Sequence, residues 1–152
     1  MAAIGVLMSW GPLQFSIHPL NYHEMIHRTS SDYARKDVLD APPRREHVGE
    51  GDEIVTLRGR VFPRVTGGFV GTNSIQRLEA MRRQSVANQL IRGGLVGGEN
   101  MGWFVLELLD RVHTHIDKDG KGRVINFDAN FARVDIPDPA QYATDLFSTM
   151  RT

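Results

Sequence analysis

The chain has 152 residues, 41% of them hydrophobic, and its 18 Lys plus Arg balance 18 Asp plus Glu. That length and apolar share describe one globular domain with a core and exclude a disordered chain. The absence of cysteine excludes disulfides, thiol catalysis and cysteine-based zinc sites, and a neutral total speaks against a dedicated nucleic-acid binder, which draws on excess positive charge.

The opening Met1-Ala-Ala-Ile-Gly-Val-Leu-Met8 lacks the basic n-region of a signal peptide, so synthesis in a cytoplasm is expected. No apolar run approaches the roughly 20 residues of a membrane helix, and no membrane partner is expected. Gly11-Pro12 marks a turn. After it Leu13, Phe15 and Ile17 alternate with Gln14, Ser16 and His18, a period of two that predicts a strand. A second strand is predicted over about Tyr22 to Arg28.

Residues 29 to 51 are polar and include Pro42-Pro43-Arg44-Arg45, a run read as incompatible with regular structure. A connection this long has a use in a compact domain. It is either a β-hairpin arm reaching a neighbour or a mobile excursion. Glu53 to Phe62 is the clearest strand: Val55, Leu57 and Val61 face a core, while Thr56, Arg58 and Arg60 face out. Gly59 falls in the inward row, where it permits a bulge or a close backbone approach. Pro63 ends the strand and Gly67-Gly68 open a loop.

One internal helix is predicted. Asn73 is its N-cap, with Gln76 three residues on, a capping-box pattern. Ile75, Leu78 and Met81, extended by Ser85, form the buried stripe, and Gly93-Gly94 terminate it. Arg77, Arg82 and Arg83 lie mostly off that stripe and read as a solvated face. A glycine-rich link over Gly97 to Gly102 leads to a long strand, Trp103 to His115. There Phe104, Leu106 and Leu108 mark one face, and Val105, Leu109 and Arg111 the other. Asp117-Lys-Asp-Gly-Lys-Gly122 is a turn, and Arg123 to Val134 returns with Ile125, Phe127, Ala129 and Phe131 on one face. Asn126, Asp128 and Asn130 take the opposite face of this hairpin. Asp138, Pro139 and Gln141 start a short C-terminal helix whose apolar stripe is Tyr142, Leu146 and Met150, with Phe147 beside it.

Catalytic patterns are missing from this order of residues. His113 and His115 form an H-x-H pair without an obvious third ligand. Asp117-Lys-Asp119-Gly120 opens like a calcium loop but runs into a strand before the oxygen ligands such a loop requires. Gly93 to Gly98 follows a helix, whereas a phosphate cradle precedes one. Neither G-x-S-x-G nor S-x-x-K occurs. No catalytic residue, metal or cofactor is assigned.

Gly49 to Gly68 reads G-E-G-D-E-I-V-T-L-R-G-R-V-F-P-R-V-T-G-G. Its Gly49, Gly51 and Asp52 turn, Leu57, Gly59 and Pro63, and Thr66-Gly67-Gly68 resemble the signature region of the GpU family of phage tail proteins. The helix with Leu78 and Met81, the strand start Gly102-Trp-Phe-Val105 and a hairpin ending at Val134-Asp135 follow the same order, over about residues 4 to 135. The chain departs from the family at Gln84-Ser85 and Gln89-Leu90, where Gly and a Pro-Leu pair are usual, and residues 136 to 152 extend past its usual end.

The resemblance implies a mainly β (α+β) fold: an antiparallel sandwich or barrel of tail-tube type over 1–135 with one flanking helix, then a helical extension over 136–152. It also implies a non-enzymatic virion protein of a contractile tail, a hexameric ring near the baseplate hub. Its partners would be sibling copies, tail tube protein, hub proteins, tape measure protein and passing DNA. Asn126, Asp128 and Asn130 would line the channel. Arg44 and Arg45 of the polar segment, and Tyr142, Leu146, Phe147 and Met150 of the extension, are the interface candidates. The alternatives are a tube or terminator subunit at another level of the tail, a monomeric small-ligand-binding β-barrel, and a metal-dependent enzyme using His113 and His115.

Overall fold

The computed structural model describes residues 6–16, 21–62, 70–93, 98–120, 122–136 and 140. The strands are β1 (Val6–Trp10), β2 (Leu13–Ser16), β3 (Asn21–Val38), β4 (Ala41–Val61), β5 (Asn88–Arg92), β6 (Glu99–Ile116) and β7 (Gly122–Arg133), with the helix α1 (Val70–Arg83) between β4 and β5. They form one antiparallel sheet in the order β2-β1-β5-β6-β7-β4-β3. The sheet curls until its outermost strands meet: the Phe15 and Tyr22 rings pack edge-on at 6.0 Å, and the Tyr22 hydroxyl donates to the Leu7 carbonyl at 3.3 Å. The expectation of a mainly β domain with one flanking helix holds, in the form of a single curled sheet.

The core lies on the concave side. Val55, Leu57, Val61, Ile125, Phe127, Ala129 and Phe131, the inward rows predicted for β4 and β7, are all buried there. Trp10 packs edge-on against Phe131 at 5.1 Å, and its indole N–H donates to the Phe104 carbonyl at 3.0 Å, which satisfies the one polar group this large ring carries inside. Ile75 and Leu78 of α1 close the core from above. Trp10, Phe15, Phe104, Phe127 and Phe131 are its largest fully buried side chains.

Several expectations are corrected. The helix starts at Val70, so Asn73 lies inside it and does not cap it. It stops at Arg83, ten residues before Gly93. Ser85, expected in the buried stripe, is exposed with a left-handed φ of 54°, and the Val86 N–H reaches back to the Met81 carbonyl at 3.4 Å, an αL helix end built without glycine. Residues 88–92, read as the helix tail, are β5, held between β1 and β6.

On β6 the register to β7 shifts between Leu106 and Leu108. The extra residue reverses the side-chain alternation, as a bulge must. Leu108 is therefore 46% exposed, while Leu109 pairs with Ala129 and packs against the core. Residues 29 to 51 are a hairpin arm, and Pro42 and Pro43 lie within β4. Prolines fit there because the register to β3 shifts between Lys36 and Val38 and leaves both outside the paired positions, and because β7 pairs only with Ile54 to Val61 of β4, so the outer edge near the tip has no ladder either. The expected C-terminal helix, the domain boundary at its start, and Pro63 with Gly67-Gly68 all fall outside the described residues.

Gly59 performs the role its inward position suggested. A Cβ there would collide with the Asn21 carbonyl oxygen and stand 2.6 Å from the Phe127 ring. Gly59→Ala should therefore destabilise the fold by about 1–3 kcal/mol through overpacking, read as a lower midpoint in urea unfolding with an unchanged slope.

Candidate assembly interface

Two surfaces stand out from the packed domain. The first is the arm. Beyond Thr29 and Glu53 only β3 and β4 remain, paired to the turn at Leu39-Asp40, where Asp40 has a φ of 59°. From Ser31 to Leu39 the ribbon reaches roughly 25 Å at ~3.3 Å per residue. Leu39 at its tip is 95% exposed, and Tyr33, Val38 and Val48 are also exposed. Arg35 faces Arg45 and Lys36 faces Arg44 across the ladder, and like charges directly opposite destabilise a strand pair. Arg35 is relieved by Asp37 at 3.2 Å and Lys36 by Glu46 at 2.6 Å. Arg44 and Arg45, the interface candidates, make no ion pair among the described residues.

The root of the arm is built by the Gly49-Glu50-Gly51-Asp52 run. Two register shifts bracket it: Thr29 pairs with Glu53 but Ser31 with Glu50, and Asp32 pairs with Gly49 but Tyr33 with His47. Each inserts one residue into β4 and bends the ribbon away from the sheet. A side chain at 51 would meet the Ser30 backbone at 3.0 Å, and the Ser30 hydroxyl donates to the Asp52 carbonyl at 3.0 Å. Glu53 then ties three strands together. One carboxylate oxygen lies 2.7 Å from His27 Nε2 on β3, and the other accepts from Arg133 Nη1 on β7 at 2.6 Å. Burial pushes the Glu53 carboxyl up, but the bonds and charges of Arg133 and His27 outweigh it and hold the group below its ordinary value. Beside this clasp a cavity of about 510 Å³ opens, lined among others by Ser30, Glu50, Asp52, Trp103, Arg133 and Asp135.

The second surface is the uncovered convex face of β3, β4, β7 and β6. Asn126, Asp128 and Asn130, the predicted lining residues, lie together on it opposite Arg60, Arg58 and Thr56. Thr56 Oγ1 donates to Asn130 Oδ1 at 2.9 Å. Arg58 bridges Glu24 at 3.3 Å and Asp128 at 3.6 Å. Asp110 pairs with Asp128 across β6 and β7. Across the strands the row therefore runs Asp110, Asp128, Arg58 and Glu24, a mixture of both signs, and exposed Leu108 and Val112 flank Asp110 on β6.

The remaining candidates are not brought into a site. Among the described residues no group of three or more His, Cys, Asp or Glu is placed to hold a metal. His113 and His115 are both exposed on β6, and His115 has a left-handed φ of 55°. Asp117 is tied to Arg123 at 3.1 Å across the β6–β7 turn, where the Gly120 N–H donates to the Asp117 carbonyl at 2.9 Å. On α1, hydrogen bonds from Arg82 and then Arg83 outweigh partial burial and hold Glu79 at about 2, so two of the helix arginines are engaged within their own element. Tyr142, Leu146, Phe147 and Met150 lie outside the described residues. The Glu53 clasp was missed from sequence; its only signal is a His, a Glu and an Arg on three predicted strands.

Because the folded Glu53 has the lower pKa, its contribution is present above the ordinary carboxylate value of about 4.5 and is lost as pH falls through the folded one. Glu53→Gln should cost about 1 kcal/mol at neutral pH and converge with the parent protein on acidification, as followed by urea titrations at several pH values.

Comparison with known proteins bears on these surfaces. No curated protein matches the chain. Among solved structures it is similar to a chain from the tail of an empty GTA particle, computed with helical refinement and C6 symmetry: 12% identity, a TM-score of 0.51, and coverage of 86% of this chain and 92% of that one. That likeness concerns the fold. The family model described as Phage P2 GpU matches residues 11–135, which include the arm, the convex face and the glycine signature at the arm root. By that match the chain belongs to the Phage P2 GpU family of phage tail structural proteins.

Proposed function

We propose that the protein forms a ring of six copies in a contractile tail, continuous with the tail tube near the baseplate hub, around a channel for DNA and tape measure protein. The observation that carries this reading is a pair of unfilled strand edges on one four-strand unit, β6-β7-β4-β3. Beyond Thr29, β3 pairs with β4 alone, and along its whole length it is the outermost strand. β6 loses its β5 partner after Phe104, so among the described residues Val105 to Ile116 face no strand on that side. Such edges recruit strands from other chains. Four alternating strands leave β3 antiparallel to the β6 of a next copy, so the alternation continues across the junction. The interface is heterologous and closes into a ring when the rotation fits. Six copies is the symmetry of the GTA tail that shares the fold.

In that ring the convex face turns inward. Asn126, Asp128 and Asn130, mixed with Thr56 and the Arg58 pairs, give a wet lining of mixed sign. A balanced lining lets polyphosphate pass without the counterion-release grip of a basic groove. The arm, with Arg44 and Arg45, reaches the next copy, and Tyr142, Leu146, Phe147 and Met150 provide the contact with tube or hub. A monomeric binding barrel has less support, because aromatic side chains fill the space that a ligand would need.

Negative-stain microscopy and sedimentation velocity of the purified protein should reveal annular particles with a central hole. A monomer across the accessible concentration range would sink the proposal. Asp128→Arg should leave rings intact, since Asp128 is half-exposed and its Arg58 bridge has an alternative in Glu24. In a tail complementation assay the same change should slow DNA delivery. Full delivery would remove Asp128 from the lining.

A further inference from the structure

The two ends of the arm carry charge of opposite sign, in excess of the ion pairs each end forms. At the tip, Arg44 and Arg45 find no carboxylate among the described residues and face Lys36 and Arg35 across the ladder. At the root, Arg133 is the one cation lining the cavity, and Glu53 already holds it at 2.6 Å. Glu50, Asp52 and Asp135 line the same cavity and are exposed; Glu50 and Asp135 attract Arg133 through space, and among the described residues none of the three carboxylates forms a hydrogen bond or ion pair. Its volume of about 510 Å³ is the size of a pocket that takes a sizeable ligand, and so has room for an arginine side chain. The root is also formed rather than loose: the Ser30 hydroxyl bond, the close approach at Gly51 and the Glu53 clasp fix its walls.

We propose that the arm tip of one copy docks in the root cavity of the next, its Arg44 and Arg45 guanidinium groups meeting Glu50, Asp52 and Asp135. The deepening rests on the ring reading above and names which surface receives the arm. The occupant must be another copy. A two-stranded ribbon extending roughly 25 Å from its root cannot turn its own tip back into that cavity. The contact also meets both electrostatic needs at once. It relieves the like-charge pairs that weaken the isolated ribbon and supplies counter-charge to the carboxylates. Arginine suits the role because its planar fork binds carboxylates two at a time. One tip and one cavity per copy make the junction head-to-tail, so every copy gives and receives one arm.

Charge exchange between the two ends tests this. Arg44→Glu with Arg45→Glu makes a copy acidic at both ends, and Glu50→Lys with Asp135→Lys makes one basic at both ends. Each should lose the annular species in sedimentation velocity while melting like the parent protein in circular dichroism. An equal mixture of the two should regain it, because each tip then meets an opposite cavity. Rings formed by either variant alone, or a mixture that stays dispersed, would overturn the docking while parent rings keep the ring reading. A parent protein that never assembles would end both. Should either reversal fail to fold, Arg44→Gln with Arg45→Gln provides a milder probe. It should flatten the loss of assembly between about 0.1 and about 0.5 M salt, and an unchanged salt response would count against the docking.

Discussion

A two-stranded antiparallel ribbon has no face to bury and is at best marginal in water. The arm of this protein is such a ribbon along most of its length, exposed on all sides. It exists as an ordered hairpin because β3 and β4 continue without interruption into the packed sheet, where Val55, Leu57 and Val61 are wholly buried. The domain supplies the nucleus and the arm is its extension. That asymmetry accounts for the arm's chemistry. Its side chains are long and charged, as on natural exposed edges that must not pair at random, and across its ladder Arg35 faces Arg45 and Lys36 faces Arg44, with only Arg35 and Lys36 drawn to carboxylates. A surface kept soluble but electrostatically unsettled is suited to an ordered partner.

The root of the arm converts this into geometry. Bulges on either side of Gly49-Glu50-Gly51-Asp52 re-aim the strand pair, and Glu53 locks the new direction by reaching both His27 and Arg133. The clasp is half inside the protein, where the hydrogen bonds from Arg133 and His27 keep the carboxylate charged despite its partial burial. The glycines that mark the family signature therefore have distinct physical tasks. Gly51 admits the Ser30 backbone and Gly59 admits Phe127 and the Asn21 carbonyl. One shapes the arm and the other seats the sheet on its core.

The two sides of the sheet divide the labour of a tail protein. The concave side is aromatic and closed by α1, so the subunit has a core of its own. The convex side is polar and mixed in charge, and among the described residues nothing covers it or fills the free edges of its long strands. A fold with a finished inside and an unfinished border is one whose assembly adds to an already stable subunit.

The period-two runs of β4 and β7 determined their own inward rows, because an unbroken ladder preserves the alternation that the residues display; the β6–β7 hairpin and its Asp117 to Gly122 turn were legible for the same local reason. The tertiary structure alone decided the rest. Five residues of β5 following a helix carry too little periodicity to declare a strand, and only their neighbours β1 and β6 make them one. Leu108 and Leu109 exchange faces through a bulge that exists only against β7. Pro42 and Pro43 become strand residues because a register shift against β3 and a vacant outer edge leave their nitrogens without a ladder to serve, and Glu53, His27 and Arg133 become a unit because three strands lie side by side. Local pattern reports what each segment prefers to bury, whereas register, edges and ion clusters are properties of pairing between segments distant in the chain.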